Sequence, residues 1–227
     1  MLRELAPLLV LVPHPDDETL GCGGLLATAA RADVALEVVY LTDGSASHRR
    51  SVQWPAPRLS VQRRHEALEA LGALGVSAAR VAFLDWPDAA PYASAHPRYA
   101  QTALWLRALC KRRKVRSMFA PWEGEGHCDH QAASALCDAA RAGLDPAPRR
   151  FDYLVWGWTE PALGAAAEGR KVWGLSCAVE IERRRAALSR HRTQLGELIT
   201  DDADAFVIPP ELAALTRRPT EIFLERP

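Results

Sequence analysis

Short apolar runs, each cut off by a polar turn and followed by a segment of helical period, recur along this chain. Leu8-Leu9-Val10-Leu11-Val12 places five aliphatic residues in a row, the pattern of a strand buried on both faces. The small aliphatic stretch from Leu20 to about Arg31 reads as the helix that follows. Ala35–Leu41 is a second, β-branched strand that ends at Thr42-Asp43-Gly44-Ser45, and residues 45–58 read as a loop. Leu59–Leu74 is helical, with Leu68, Leu71 and Leu74 near helical spacing and Gly75 as a stop. Arg80–Leu84 is a third strand ending at Asp85-Trp86-Pro87-Asp88, and a second long loop reaches about Pro97. Tyr99–Arg113 is a helix, Val115–Ala120 a fourth strand and Phe151–Trp156 a fifth. Between the last two, His127-Cys128-Asp129-His130 opens an alanine-rich helix that runs to about Ala142.

Strand, polar loop and helix in repetition predict an α/β fold, a mostly parallel sheet with helices on both faces. Beyond residue 160 the pattern weakens. Val172–Cys177 reads as a strand, Ile181 to about Leu198 as a helix, and the tail as a loosely patterned extension. With no internal repeat and no long linker, residues 1–227 are expected to form a single domain: a core of about residues 8–160 and an extension of about 161–227 packed on it.

Composition narrows the partners. The 28 basic and 28 acidic residues cancel, which argues against a nucleic-acid surface. The basic runs Lys111–Lys114 and Arg183–Arg185 fall in helical patterns and read as solvated faces or helix-end charges. Five cysteines, scattered without paired spacing, suit a reducing compartment. The opening residues lack a signal peptide's layout, and no apolar stretch nears the ~18 residues of a membrane span. A cytoplasmic protein is the expectation.

The chemistry gathers at two strand ends. The first strand runs into Pro13-His14-Pro15-Asp16-Asp17-Glu18, and the fourth leads to His127-Cys128-Asp129-His130. In a parallel sheet both turns open on the same edge, where ligands bind. A helix cap accounts for one aspartate of the first cluster but not for the histidine and the second aspartate. His14, Asp17 and one histidine of the later pair make a three-ligand site with an open position, the pattern of a catalytic zinc. Asp16 is then placed to take a proton from water, and the other imidazole faces the polarised oxygen of a substrate.

In these motifs, PHPDDETLGCGG (Pro13–Gly24), LTDG (Leu41–Gly44), RRHEALEALGALGV (Arg63–Val76) and GEGHCDH (Gly124–His130), the chain resembles the PIG-L (LmbE-like) metal-dependent N-deacetylases. The likeness spans roughly residues 8–145, with a weaker echo in His191-Arg192-Thr193-Gln194. It implies a Rossmann-like three-layer fold and zinc held by His14, Asp17 and His130, with Fe(II), Co(II) or Mn(II) as substitutes. It further implies Asp16 as general base, His127 as the imidazole at the tetrahedral intermediate, and Asp129 as the group that orients His127. Arg63 matches an arginine that contacts substrate in some members. The implied reaction is removal of an N-acetyl group from an N-acetylglucosamine-type sugar or glycoside. A thiol-conjugate amidase and a catalytically silent metal-binding subunit share the same site residues. Cys128 stands where the family often has proline, and it reads as a small side chain pointing away.

A dinucleotide-binding fold is disfavoured, because Gly21-Cys22-Gly23-Gly24 is followed by Leu26 where the glycine-rich fingerprint needs another glycine. Trp54, Trp86, Trp122 and Trp158 fall near the active edge, where packing is the first expectation and a sugar platform the second. Glu123 and Glu125 read as caps of the next helix, His48, His65 and His96 as surface residues, and His191 as a late-helix residue able to approach the site.

Overall fold

Every residue of β1 (Leu8–Val12) and of β2 (Leu36–Thr42) is buried, because helices cover both faces of the sheet they belong to. A computed structural model describes residues 2–158, 164 and 167–226. The remaining strands are β3 (Val81–Trp86), β4 (Ser117–Pro121), β5 (Arg149–Tyr153), β6 (Lys171–Ser176) and β7 (Thr220–Arg226). They form one sheet in the order β3-β2-β1-β4-β5-β7-β6. The pairings among β1 to β5 are parallel, and β7 runs antiparallel to both β5 and β6.

The helices are α1 (Leu2–Leu5), α2 (Asp17–Arg31), α3 (Ala56–Leu74), α4 (Pro97–Arg113), α5 (Cys128–Arg141), α6 (Ile181–Leu188) and α7 (Pro210–Ala213). Alternation along the strands sends Val10, Val12, Val38 and Tyr40 to one face, against Leu25 of α2 and Leu71 of α3. Leu9, Leu11, Val39 and Leu41 go to the other, against Leu106 of α4 and Leu136 of α5. The mostly parallel, helix-covered sheet expected from the sequence is therefore present. Its strand order reverses between β1 and β4, so the chain leaves these neighbours toward opposite sides and opens a crevice at their carboxyl ends.

Beyond shifts of two or three residues at element ends, such as those of α3 and β5, three elements differ from the sequence reading. The helix that starts at Ile181 ends at Leu188, about ten residues early. The residues that were to continue it, His191, Thr193 and Gln194, are fully buried, and the first two bond to acids on other elements. The tail is a sheet strand, β7, inserted between β5 and β6. Its acids hid it: Glu221 is buried, accepting from the Gly24 and Leu25 amides at 2.6 and 2.8 Å, and Glu225 accepts from Arg149. Finally, α2 starts at Asp17 and kinks at Cys22, and the amides just past the kink are those that Glu221 satisfies. The division expected between core and extension, at about residues 160 and 161, lies outside the described residues.

Candidate metal centre and active site

The segment after β1 and the segment before α5 meet in the crevice, bringing together residues more than a hundred positions apart. His14 Nδ1 lies 3.0 Å from Asp17 Oδ2, and His130 Nε2 lies 3.1 Å from the same oxygen. Donor atoms at the corners of a tetrahedron with bonds of about 2.0–2.1 Å stand roughly 3.3 Å apart. The second nitrogen of each ring is held by a carboxylate. His14 Nε2 meets Asp129 Oδ2 at 2.9 Å and Asp88 Oδ1 at 3.3 Å, and His130 Nδ1 meets Glu125 Oε2 at 2.5 Å. Carboxylates on the far nitrogen of each imidazole are the arrangement that orients metal-binding histidines. His130 Nε2 is buried without a hydrogen-bond partner, since the nearby Asp17 oxygen is out of line with it. His14, Asp17 and His130 thus fit a divalent cation of the zinc type by donor chemistry and by this orphaned nitrogen.

Charge follows the same geometry. Burial opposes a proton on His130, but Asp17 and Glu125 outweigh it and lift the imidazole to about 9. Burial likewise opposes His14, which Asp129, Asp17 and Asp88 hold well above its ordinary value. Asp17 is driven the other way: burial disfavours its charge, and His130 and His14 overcome that and keep it far below the usual carboxylate range. Metal binding exchanges such imidazole protons for the cation.

Asp16 stands beside this cluster with an unusual backbone, φ 155° and ψ −28°. For a residue with a side chain this conformation costs on the order of 1–3 kcal/mol, and such strain persists where surrounding bonds over-determine it. The Asp16 amide donates to Glu18 Oε2 at 2.9 Å, and Asp16 Oδ2 accepts from Arg63 Nη2 at 3.1 Å. Burial raises the Asp16 carboxyl to about 6 against the pull of Arg63. The buried Arg63 also donates to the carbonyls of Gly44 and Pro15. A Cβ on Gly44, which has φ +67°, would lie 2.9 Å from Arg63 Nη1, so the glycine of LTDG makes room for this arginine.

His127 caps α5: its Nδ1 accepts the Asp129 amide at 3.2 Å, which puts the proton of the neutral ring on Nε2. The Asp129 carboxylate is 3.9 Å from His127 Nδ1 and points at His14 instead, so within this pair it is the Asp129 backbone that orients His127. Burial and the two neighbouring imidazoles lower the His127 pKa. The His127 ring is edge-on to His14, with centroids 4.6 Å apart. Cys128 is exposed, with Sγ 3.9 Å from Asp129 Oδ1.

A cavity of about 270 Å³ opens over these groups. His14, Asp16, Asp17, Arg63 and His127 line it on one side, and Leu20, Val155, Trp156, Phe206 and Leu212 give it an apolar wall. The wall includes a tryptophan that was not among the four singled out. Trp86 and Trp122 are core residues, and Trp54 and Trp158 lie under Arg58 and Arg218.

Several polar residues take parts that the sequence did not reveal. Glu125 does not cap α5. Besides His130 it accepts from the Val155 and Gly157 amides. Glu123 pairs with Arg170 and Arg226. Asp88, at a third polar strand end, reaches His14, a role that its place after a strand could have suggested. His48 is buried beside Ser47, on a loop bonded to the segment 201–206; His65 is exposed and His96 caps α4. His191 does reach the site's surroundings, from the turn after α6, and contacts Glu18.

The family model for PIG-L, GlcNAc-PI de-N-acetylase, matches residues 9–141. The 1D-myo-inositol 2-acetamido-2-deoxy-alpha-D-glucopyranoside deacetylase of Mycobacterium sp. (strain KMS) is 34% identical over 161 residues, 62% of this chain and 52% of that protein. The chain spans about half the length of the curated relatives it matches. Among solved structures, the conserved protein TT1542 from Thermus thermophilus is 26% identical, with a TM-score of 0.68 over 97% of this chain and 94% of that one. The N,N'-diacetylchitobiose deacetylase from Pyrococcus horikoshii is 19% identical and shares the fold, with a TM-score of 0.69 over 97% of this chain and 83% of that one.

Proposed function

The chain belongs to the PIG-L family, and from that premise we propose that it is a metal-dependent hydrolase removing an N-acetyl group from an N-acetylglucosamine-type sugar or glycoside. The observation that carries this reading is the pair of carboxylate-backed imidazoles, His14 and His130, meeting at one oxygen of Asp17 with Asp16 alongside. His14, Asp17 and His130 would hold the ion, with zinc as the first choice and Fe(II), Co(II) or Mn(II) as substitutes. A bound ion of this kind supplies Lewis-acid polarisation of the amide carbonyl and a water of lowered pKa.

The remaining steps belong to the chain's own side chains. Arg63 holds Asp16 Oδ2, which leaves Oδ1 to remove the water's proton as its oxygen bonds to the carbonyl carbon. The Nε2–H of His127 donates to the developing oxyanion, a contribution of about 3–4 kcal/mol by analogy with single oxyanion donors. Asp16 returns the proton to the amine as the C–N bond breaks, giving acetate and a free amino sugar. Asp129 holds His14 through its carboxylate and His127 through its amide. The apolar wall suits the face of a sugar ring or an apolar aglycone, while Arg63 flanks the polar side of the cavity. Five free cysteines support a cytoplasmic location, and among the described residues no helix is long and apolar enough to cross a membrane.

The test is acetate release from a pool of N-acetylated sugars and glycosides, comparing the zinc-loaded chain with Asp16→Asn at measured metal content. Acetate from the wild type, reduced at least ~10²-fold in the variant at equal metal, is the expected result. Equal metal with no acetate from either would turn the search to larger amides such as thiol conjugates, and then to a silent subunit. Undiminished turnover in Asp16→Asn would remove the general-base role.

A further inference from the structure

Among the buried polar clusters that the mechanism leaves unused, one leads back to Asp16. His191 is fully buried, and its Nε2 lies 2.8 Å from Glu18 Oε1. Glu18, also fully buried, receives the Thr19 hydroxyl on that same oxygen at 2.7 Å. Its other oxygen, Oε2, accepts the Asp16 amide. The backbone of Asp16, φ 155° and ψ −28°, is thus tied to a carboxylate whose own position is set by an imidazole 173 positions away.

The imidazole is itself pinned. Two residues on, Thr193 donates its hydroxyl to Glu66 Oε2 at 2.6 Å, and its amide lies within hydrogen-bond reach of the same carboxylate. Glu66 lies on α3, one turn from Arg63, which holds the Asp16 side chain. Hydrogen bonds and two short stretches of chain, Arg63 to Glu66 on α3 and His191 to Thr193, close a ring: Asp16 carboxylate, Arg63, Glu66, Thr193, His191, Glu18, Asp16 amide. The motif beginning at Arg63 and the late His191–Gln194 motif, separate in sequence, are two arcs of it.

We propose that Glu18 and His191 are a positioning pair for Asp16, with neither touching substrate or metal. A carboxylate accepting a backbone N–H gives a strong, directional bond, and two donors on the same Glu18 oxygen, from Thr19 and His191, fix where the opposite oxygen points. The pair holds the strained Asp16 backbone so that Oδ1 faces the reacting water; without it the backbone relaxes and the carboxylate turns away. This rests on Asp16 being the general base, so the experiment includes a readout independent of the reaction.

His191→Leu removes the donor at similar volume, and His191→Gln keeps an N–H near the position of Nε2. In the zinc-loaded full chain, His191→Leu is expected to lower kcat on the order of 10²-fold, the penalty of a displaced catalytic group. KM should stay within about twofold and metal content should be unchanged, and His191→Gln should recover most of kcat. A purely structural role would lower thermal stability and metal content together with kcat. Hydrogen exchange at the Asp16 amide supplies the independent readout, expected to quicken at least about tenfold in His191→Leu. Unchanged kcat in folded His191→Leu overturns the proposal, as does unchanged Asp16 exchange. If His191→Leu does not fold, Glu18→Gln, with its weaker acceptor at the same volume, carries both measurements under the same criteria. If the wild type hydrolyses no amide, the reaction reading fails while the exchange arm still decides whether the pair holds Asp16.

Discussion

Glu125 holds His130 in place while sitting outside any ligand set. Its Oε2 accepts a hydrogen bond from His130 Nδ1, and its Oε1 accepts from the Val155 and Gly157 amides, so the imidazole can turn only Nε2 toward Asp17. Glu125→Gln replaces a charged acceptor with an amide that presents a donor at one of these two positions. Zinc affinity should fall about 10–100-fold, the usual cost of losing a carboxylate behind a metal-binding histidine, as measured by competition with a chromophoric chelator. His130→Ala should lose the ion altogether, and unaltered affinity in Glu125→Gln would show that the carboxylate serves packing alone. A glutamate just before a helix reads from sequence as a partner of the helix dipole. Its actual partners are a histidine five residues on and two amides some thirty residues away, a convergence that spacing along the chain does not encode. By contrast, the meeting of His14, Asp16 and Asp17 with His127, Asp129 and His130 in one crevice was legible, because both clusters follow apolar strands of a parallel sheet and so open on the same edge.

At the scale of elements, α2 carries the site at its start and its packing constraints one turn further on. A Cβ on Gly24 would lie 2.7 Å from Cys177 Sγ and 2.9 Å from Glu221 Cδ, and one on Gly21 would lie 2.5 Å from the Tyr153 ring. The glycines that mimic a dinucleotide fingerprint therefore serve close approach of α2 to β5, β7 and the turn before α6. Gly24→Ala must push Glu221 off the amides of Gly24 and Leu25, both on the helix that begins at Asp17. We expect a loss of about 1–3 kcal/mol, a fall in Tm of roughly 2–12 °C for a chain of this size, followed by circular dichroism. A Tm within a degree of the wild type would mean that the neighbours yield freely. The strands β1, β2 and β4 were readable because burial on both faces imposes near-continuous apolar runs, whereas β5 begins two residues before its expected start because Arg149 and Arg150 open it. The early end of α6 was not readable, since Leu188, Leu195 and Leu198 keep an apolar rhythm that the buried bonds of His191 and Thr193 override.

For the whole molecule, the question is whether the last residues are an appendage or part of the frame that holds the site. β7 is the only connection between β6 and the rest of the sheet among the described residues. Phe223 and Leu224, 3% and 1% exposed, go to two different hydrophobic clusters, the larger core and the one around Trp122. Glu221 lies 3.1 Å from the buried Arg184 and accepts two α2 amides. Removing the chain from Thr220 onward deletes a buried phenylalanine and a buried leucine, worth about 3–5 and 2–5 kcal/mol by large-to-small substitution. It also takes Glu221 from Arg184, which keeps the Leu215 and Arg218 carbonyls, and from the Gly24 and Leu25 amides, at roughly 1–3 kcal/mol for each amide left buried and unpaired. Together these are of the same size as the ~5–15 kcal/mol by which a folded domain is stable. The truncated chain is therefore expected to show no cooperative thermal transition and no stoichiometric zinc binding, although every proposed ligand is still present. A cooperative melt near that of the full chain, with zinc bound, would instead make β7 an ornament on a self-sufficient five-stranded core. The expected outcome ties the site to a distant part of the sequence: His14 and Asp17 are held at one reach by β1 and α2, and α2 is held by Glu221 of the last strand.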